Sequence, residues 1–126
     1  MDNNTIKILL VDDEPDILEI ISYNLSAQGY KVFTANNGQK AIKKAQKEKP
    51  QLIILDVMMP EMDGWSVLRT LKADKKVSHI PVVMASIIDE KKKGFSLGAA
   101  DYLSKPVERD RLIGSISKLL GSKSGK

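Results

Sequence analysis

Five short apolar runs alternate with five stretches of helical period, and this alternation limits the fold more than any other feature of the chain. Ile6-Lys7-Ile8-Leu9-Leu10-Val11 is almost continuously apolar, as a strand buried on both faces must be. Lys31–Ala35, Leu52–Leu55, Pro81–Ala85 and Asp101–Ser104 read as four further strands. After the first, Pro15 suits an opening helical turn, and Ile17, Leu18, Ile20, Ile21 and Leu25 follow at helical spacing up to Gly29. Asn36 or Asn37 can cap a second helix that turns Ala41, Ile42 and Ala45 inward and stops at Pro50. The third helix, after a loop through Pro60, carries Trp65, Val67, Leu68 and Leu71. A short fourth spans about Asp89 to Leu97 and ends at Gly98, and the last carries Leu112, Ile113, Ile116, Leu119 and Leu120. Gly114 interrupts that last helix at a cost of about 1 kcal/mol relative to Ala. Strictly alternating elements imply an α/β fold, a doubly wound five-stranded parallel sheet with five helices on its two faces.

The 126 residues suit one domain, expected over 1–120, with 121–126 as a flexible basic tail. A chain of this size buries roughly two thirds of its unfolded surface, so it needs no covalent or metal staple. The absence of cysteine removes disulfides, thiolate zinc sites and cysteine nucleophiles, and a single histidine, His79, argues against metal clusters and a Ser-His-Asp triad. No apolar run approaches the roughly 18 residues of a membrane span, and Met1-Asp2-Asn3-Asn4 has no signal-peptide character. The sequence reads as a soluble, cytoplasmic domain.

The net charge of +4 is unevenly spread. Lys40, Lys43, Lys44, Lys47 and Lys49 crowd one stretch against a single Glu48, and Lys118, Lys123 and Lys126 lie in the last nine residues without an acid. These clusters carry seven net positive charges, which leaves the rest of the chain net negative. No aromatic residue interleaves with the lysines and no DNA-reading motif accompanies them, so a solvated helix face is favoured over a nucleic-acid site.

In a doubly wound sheet, ligands bind beyond the carboxyl ends of the strands. Strand one ends in Asp12-Asp13, strand three in Asp56, strand four in Ser86 and strand five in Lys105-Pro106. Each residue alone has an ordinary reading: Asp12-Asp13 as caps of the first helix, Asp13 in part, Asp56 as a turn former, Ser86 as a cap, Lys105 as a surface charge. Together at successive strand ends they form a constellation. Three converging carboxylates repel each other unless a cation is present, and a hard divalent ion, Mg²⁺ foremost, resolves this with oxygen ligands. Lys105 can neutralise a phosphate oxygen and Ser86 can donate to one. Acids, metal, lysine and hydroxyl without a His or Cys base fit phosphoryl transfer to a carboxylate.

These residues lie in four blocks: Val11-Asp12-Asp13-Glu14-Pro15, Leu55-Asp56-Val57-Met58-Met59-Pro60-Glu61-Met62-Asp63-Gly64, Ser86, and Gly98-Ala99-Ala100-Asp101-Tyr102-Leu103-Ser104-Lys105-Pro106. In that order and spacing the chain resembles a response-regulator receiver domain (CheY-like) of two-component signalling over nearly its whole length, which implies the flavodoxin-like strand order 2-1-3-4-5. The resemblance implies that Asp56 accepts a phosphoryl group from a phosphohistidine on a sensor histidine kinase or phosphotransfer protein. It implies that Asp13, Asp56 and the Met58 backbone carbonyl ligate Mg²⁺, with Asp12 acting through water. Lys105 would pair with Asp56 and then with the phosphoryl group, and Ser86 and Tyr102 would switch together. The Lys105–Pro106 bond would be cis, Pro60 and Gly64 would shape the loop after the acceptor, and helix 4, strand 5 and helix 5 would form the output face toward an unknown partner protein.

Four departures from the family pattern carry expectations. Ile87 follows Ser86 where members usually place a small residue, and should crowd the acceptor. Met58 and Ile88 are apolar where many members orient an attacking water, which implies slow acyl-phosphate hydrolysis. The connection from Ser86 to Gly94 is shorter than in many members, by roughly one helical turn, and this falls on the fourth helix and the output face. Ser96 and Ala100 replace acidic residues of a symmetric dimer found in winged-helix regulators, so a monomer or weak dimer is expected. Trp65 reads as partly packed core ahead of a partner anchor, and His79 as an exposed loop residue. The tail sequence Gly121-Ser122-Lys123-Ser124-Gly125-Lys126 lacks the spacing of a phosphate loop. Two other functions fit the sequence less well. A haloacid-dehalogenase-type phosphohydrolase needs a second Asp where Met58 stands, and an FMN module needs a glycine- and hydroxyl-rich loop after strand one.

Overall fold

The computed structural model describes residues 5–121. Strands β1 (Lys7–Val11), β2 (Lys31–Ala35), β3 (Leu52–Asp56), β4 (Val82–Ser86) and β5 (Asp101–Ser104) alternate with helices α1 (Pro15–Ala27), α2 (Gly38–Glu48), α3 (Gly64–Ala73), α4 (Lys91–Ser96) and α5 (Arg109–Leu120). The strands form one sheet in the order β2-β1-β3-β4-β5, every neighbouring pair parallel. This is the doubly wound parallel arrangement expected from the periodicities, in the flavodoxin-like order that the resemblance implies. Residues 122–126, expected as a basic tail, lie outside the described residues.

The apolar content of each strand follows from its place in the sheet. The inner strands β3 and β4 are buried along their whole length, because helices cover both of their faces. On one face Leu9, Ile53, Leu55 and Met84 pack with Ala41 and Ala45 of α2 and Val67, Leu68 and Leu71 of α3. On the other, Ile8, Leu10, Ile54 and Val83 pack with Leu25 of α1 and Leu112 and Ile116 of α5. Each fully buried Leu or Ile contributes roughly 1.5–3 kcal/mol of transfer free energy, so these two layers fix the strand register that sets the height of the strand ends. β2, at the open edge, is half exposed.

Local chemistry fixes the element boundaries. Asn37, rather than Asn36, caps α2 by accepting from the Lys40 N–H at 2.8 Å, and Lys49 in the left-handed region closes the helix before Pro50. Asp63 caps α3 through the Ser66 N–H at 2.9 Å. The suggested cap Asp13 is a correction: Glu14 occupies the cap position of α1 without a side-chain bond, and Asp12 instead accepts from the Glu14 N–H at 2.9 Å. α4 is shorter than the sequence pattern suggested. The Glu90 N–H donates to the Tyr102 hydroxyl and Asp89 accepts from the Lys91 N–H, which holds both residues in the loop; Gly98, at φ +102, ends the turn beyond Leu97. Gly64 has a packing requirement, since a Cβ there would fall on the Asp56 carbonyl oxygen and the Val57 Cα. His79 is exposed in the turn before β4, and Trp65 is buried more deeply than expected.

α5 runs unbroken through Gly114, which is exposed and has no heavy atom near the position a Cβ would take. Gly114→Ala therefore gains helix propensity without a clash and should stabilise the fold by about 0.5–1 kcal/mol. Urea unfolding measures this as a higher midpoint at unchanged slope; a lower midpoint would show that the glycine is needed.

Candidate functional site

Parallel strands present their carboxyl ends at one edge of the sheet, and backbone bonds lock the relative heights of those ends. The Asp12 N–H donates to the Ala35 carbonyl at 3.2 Å, Val57 N–H to Ala85 at 3.0 Å, and Lys105 N–H to Ser86 at 2.8 Å. Asp12, Asp13, Asp56 and Lys105 are brought together at that edge. Asp12 and Asp56 are 3% and 4% exposed, which places two carboxylates in a nearly dry environment. The Lys105 ammonium bridges them, 2.9 Å from Asp12 Oδ2 and 3.1 Å from Asp56 Oδ1. The Met58 N–H also donates to Asp56 Oδ1, at 3.3 Å. The Lys105–Pro106 peptide bond is cis.

Burial disfavours the charged form of Asp56 first, and the Asp12 charge adds to this. Lys105 and the Met58 N–H pull the other way, and the net effect pushes the carboxyl up to about 6. For Lys105, burial alone would lower the pKa; hydrogen bonds and attraction from Asp12 and Asp56 outweigh it and hold the ammonium charged. Three carboxylates and one ammonium leave two uncompensated negative charges, the charge a divalent cation carries. Asp12, Asp13 and Asp56 each offer an oxygen within 4.8 Å of the others, with Asp13 the most open to solvent. Hard oxygen donors at this spacing fit Mg²⁺. A cavity of about 300 Å³ opens over them, lined by Asp13, Glu14, Asp56, Met58, Ile87 and Lys105. Ile87 is 70% exposed, so it forms part of the rim without covering Asp56.

Ser86 ends β4, and Tyr102 lies near the start of the neighbouring β5. Both engage the backbone of Ile88, a residue whose main chain sequence inspection did not single out. The Ile88 N–H donates to Ser86 Oγ at 3.1 Å, and the buried Tyr102 hydroxyl donates to the Ile88 carbonyl at 2.6 Å while accepting from the Glu90 N–H at 3.2 Å. One peptide segment thus ties the Ser86 hydroxyl to the Tyr102 ring. Trp65 lies against that ring with centroids 6.4 Å apart, and the Lys93 ammonium sits 4.7 Å from the Trp65 centroid. Gly94 lets α4 lie flat against Tyr102, since a Cβ there would meet the ring at 2.9 Å. Main-chain partners leave no trace in residue type: the family resemblance paired Ser86 with Tyr102, but nothing in the sequence marked the Ile88 peptide that joins them.

Residues 8–117 match the family described as the response regulator receiver domain. The alkaline phosphatase synthesis transcriptional regulatory protein PhoP of Bacillus subtilis is 48% identical over 103 residues, covering 79% of this chain and 42% of that protein. The chain spans about half the length, or less, of the curated relatives it matches. Among solved structures, the chemotaxis protein CheY4 of Vibrio cholerae superposes with a TM-score of 0.86 at 31% identity, covering 91% of this chain and 98% of that one. The receiver domain of sensor histidine kinase PA1611 of Pseudomonas aeruginosa, described with a magnesium ion coordinated in its active-site cleft, superposes with a TM-score of 0.85 at 27% identity, covering 94% and 99%. Nothing in these matches supports the haloacid dehalogenase alternative. No helix among the described residues is long and apolar enough to cross a membrane.

The raised pKa of Asp56 has a thermodynamic consequence with a definite sign. Between the ordinary value of 3.8 and about 6, the folded chain keeps a proton that the unfolded chain has released, so stability falls as pH rises through that window. In the presence of a chelator, Asp56→Asn should be more stable than the native chain at pH 8 by on the order of 1–2 kcal/mol. The gap should close as pH falls toward about 4. Urea unfolding across this range checks it, and a gap independent of pH would contradict the assignment.

Proposed function

Since the chain belongs to the response regulator receiver family, we propose that Asp56 is its phosphoryl acceptor and that residues 5–120 form a phosphorylation-dependent switch. The observation that carries this reading is the Lys105 ammonium bridging Asp12 and Asp56 at the strand ends. Response-regulator receivers pair with histidine kinases, and the donor proposed here is a phosphohistidine on such a kinase or on a phosphotransfer protein. An Asp56 carboxylate oxygen attacks phosphorus, the P–N bond breaks, and the imidazole nitrogen leaves with the electron pair. Asp13, Asp56 and the Met58 carbonyl would hold Mg²⁺, with Asp12 acting through water. The ion supplies charge neutralisation at the phosphoryl oxygens when bound.

This chain's own residues do the rest. Lys105 is held charged at the acceptor, and after transfer its ammonium exchanges the Asp56 oxygen for a phosphoryl oxygen. Ser86 releases the Ile88 N–H and donates its hydroxyl to a second phosphoryl oxygen. Because the Ile88 carbonyl also anchors Tyr102, this movement weakens the bond that holds the ring inward. The two arrangements differ in their contacts to the phosphoryl group, which is what shifts the population. The readout is the surface of α4, β5 and α5, toward an output partner protein. Met58, which lines the cavity over Asp56, and Ile88, two residues past Ser86, are 51% and 48% exposed and offer no polar group to orient water, so the acyl phosphate is long-lived.

A small-molecule phosphodonor with Mg²⁺ should place one phosphoryl group on the native chain. Asp56→Asn or a chelator should abolish the mass shift, and Lys105→Ala should slow transfer by about 10²-fold or more. Ile88→Glu, which adds a base at the mouth, should shorten the phosphoryl lifetime roughly tenfold or more. Labelling that survives in Asp56→Asn would refute the acceptor, and a short native lifetime unchanged in Ile88→Glu would refute the account of hydrolysis.

A further inference from the structure

α2 presents Lys40, Lys43, Lys44 and Lys47 at intervals of three and four residues, which makes four like-charged pairs between adjacent helical turns. Such pairs oppose helix formation. No carboxylate pairs with any of these four lysines among the described residues. They line a cavity of about 510 Å³ together with Thr34 of β2 and Leu18 of α1. The positive line continues at the other end of β2, where the ammonium groups of Lys7 and Lys31 lie 6.0 and 5.6 Å from the centre of the Phe33 ring.

β2 is an edge strand that pairs only with β1. The Lys31 N–H donates to the Ile6 carbonyl and the Ala35 carbonyl accepts from Asp12, so residues 31, 33 and 35 turn their backbone groups toward β1. By strand alternation, Val32 and Thr34 turn their N–H and C=O groups outward, and Thr34 lines the cavity beside the lysines. An unpaired edge of this kind is a template for another backbone. α2 connects the end of β2 to the start of the parallel strand β3, so it runs back alongside this edge, and its lysines form a row beside it.

From this juxtaposition we infer that the open edge of β2 and the lysine row of α2 bind an extended acidic segment of a partner protein, by strand addition. Alternate side chains of an added strand recur about every 6.6 Å, close to the roughly 5–6 Å between helical residues three or four apart. Carboxylates at every second position therefore meet successive lysines, while the segment's backbone pairs with Val32 and Thr34. Nucleic acid makes no use of an open strand edge, and the groove offers no free aromatic face for a base. The surface is separate from the Asp56 pocket and its occupancy does not depend on phosphorylation chemistry.

The test is calorimetric titration of the whole chain at low salt with three probes. These are a blocked peptide of alternating Glu and Thr, a peptide of the same composition with its Glu residues in one block, and a short DNA duplex. The alternating peptide should bind at least about tenfold more tightly than either control. Its binding should slow hydrogen exchange at the Val32 and Thr34 amides, and methylation of its alternate backbone nitrogens should abolish both effects. The double variant Lys40→Glu/Lys44→Glu, at surface positions, should lose this binding and keep its reaction with a phosphodonor. Three outcomes would overturn the inference: equal or tighter binding of the blocked-acid peptide or the duplex, unchanged exchange at Val32 and Thr34 at saturation, or no binding.

Discussion

The contact of one ammonium with two nearly dry carboxylates organises this molecule. Removing Lys105 would leave Asp12 and Asp56 buried and mutually repulsive, and burying unpaired charge is among the costliest things a fold can do. The contact depends on remote parts of the chain: Asp12 follows β1, Asp56 ends β3 and Lys105 follows β5. Only a sheet with the register of these strands fixed by apolar packing on both faces brings the three ends level. The core thus serves the site directly, since a slip of one residue in β3 would turn Asp56 to the other face.

A second layer of organisation uses main chain instead of charge. Ile88 offers its N–H to Ser86 and its carbonyl to Tyr102, so a hydroxyl near the pocket and a ring near α4 share a peptide segment. The same interaction explains the shortness of α4. The Glu90 N–H is taken by the Tyr102 hydroxyl, and the helix begins only at Lys91. The loop that links the pocket to α4 is therefore stabilised by bonds that a rearrangement of Ser86 would disturb.

Much of this was legible in the sequence because it depends on periodicity and residue type. Near-continuous apolar runs gave the buried strands, and polar residues directly after them marked the edge where a ligand binds. The family resemblance anticipated the cis bond before Pro106. What escaped detection depends on the third dimension or on backbone. That Asp12, not Asp13, bonds the Glu14 N–H is decided by where β1 releases the chain. That Lys105 reaches Asp12 as well as Asp56 is decided by the spacing of three strand ends. The lysines of α2 read as a solvated face because sequence does not show that four of them line one cavity with Thr34 of the edge strand.

Trp65 is the chain's single indole, and its placement has an optical consequence. It is stacked on Tyr102 and capped by the Lys93 ammonium, with both neighbours belonging to elements beyond its own helix. Indole emission is sensitive to the charge and polarity around the ring, and energy absorbed by a phenol this near passes readily to it. The molecule carries an intrinsic chromophore pair at the joint between α3, α4 and β5, so any displacement of the tyrosine is written into its emission without an added label.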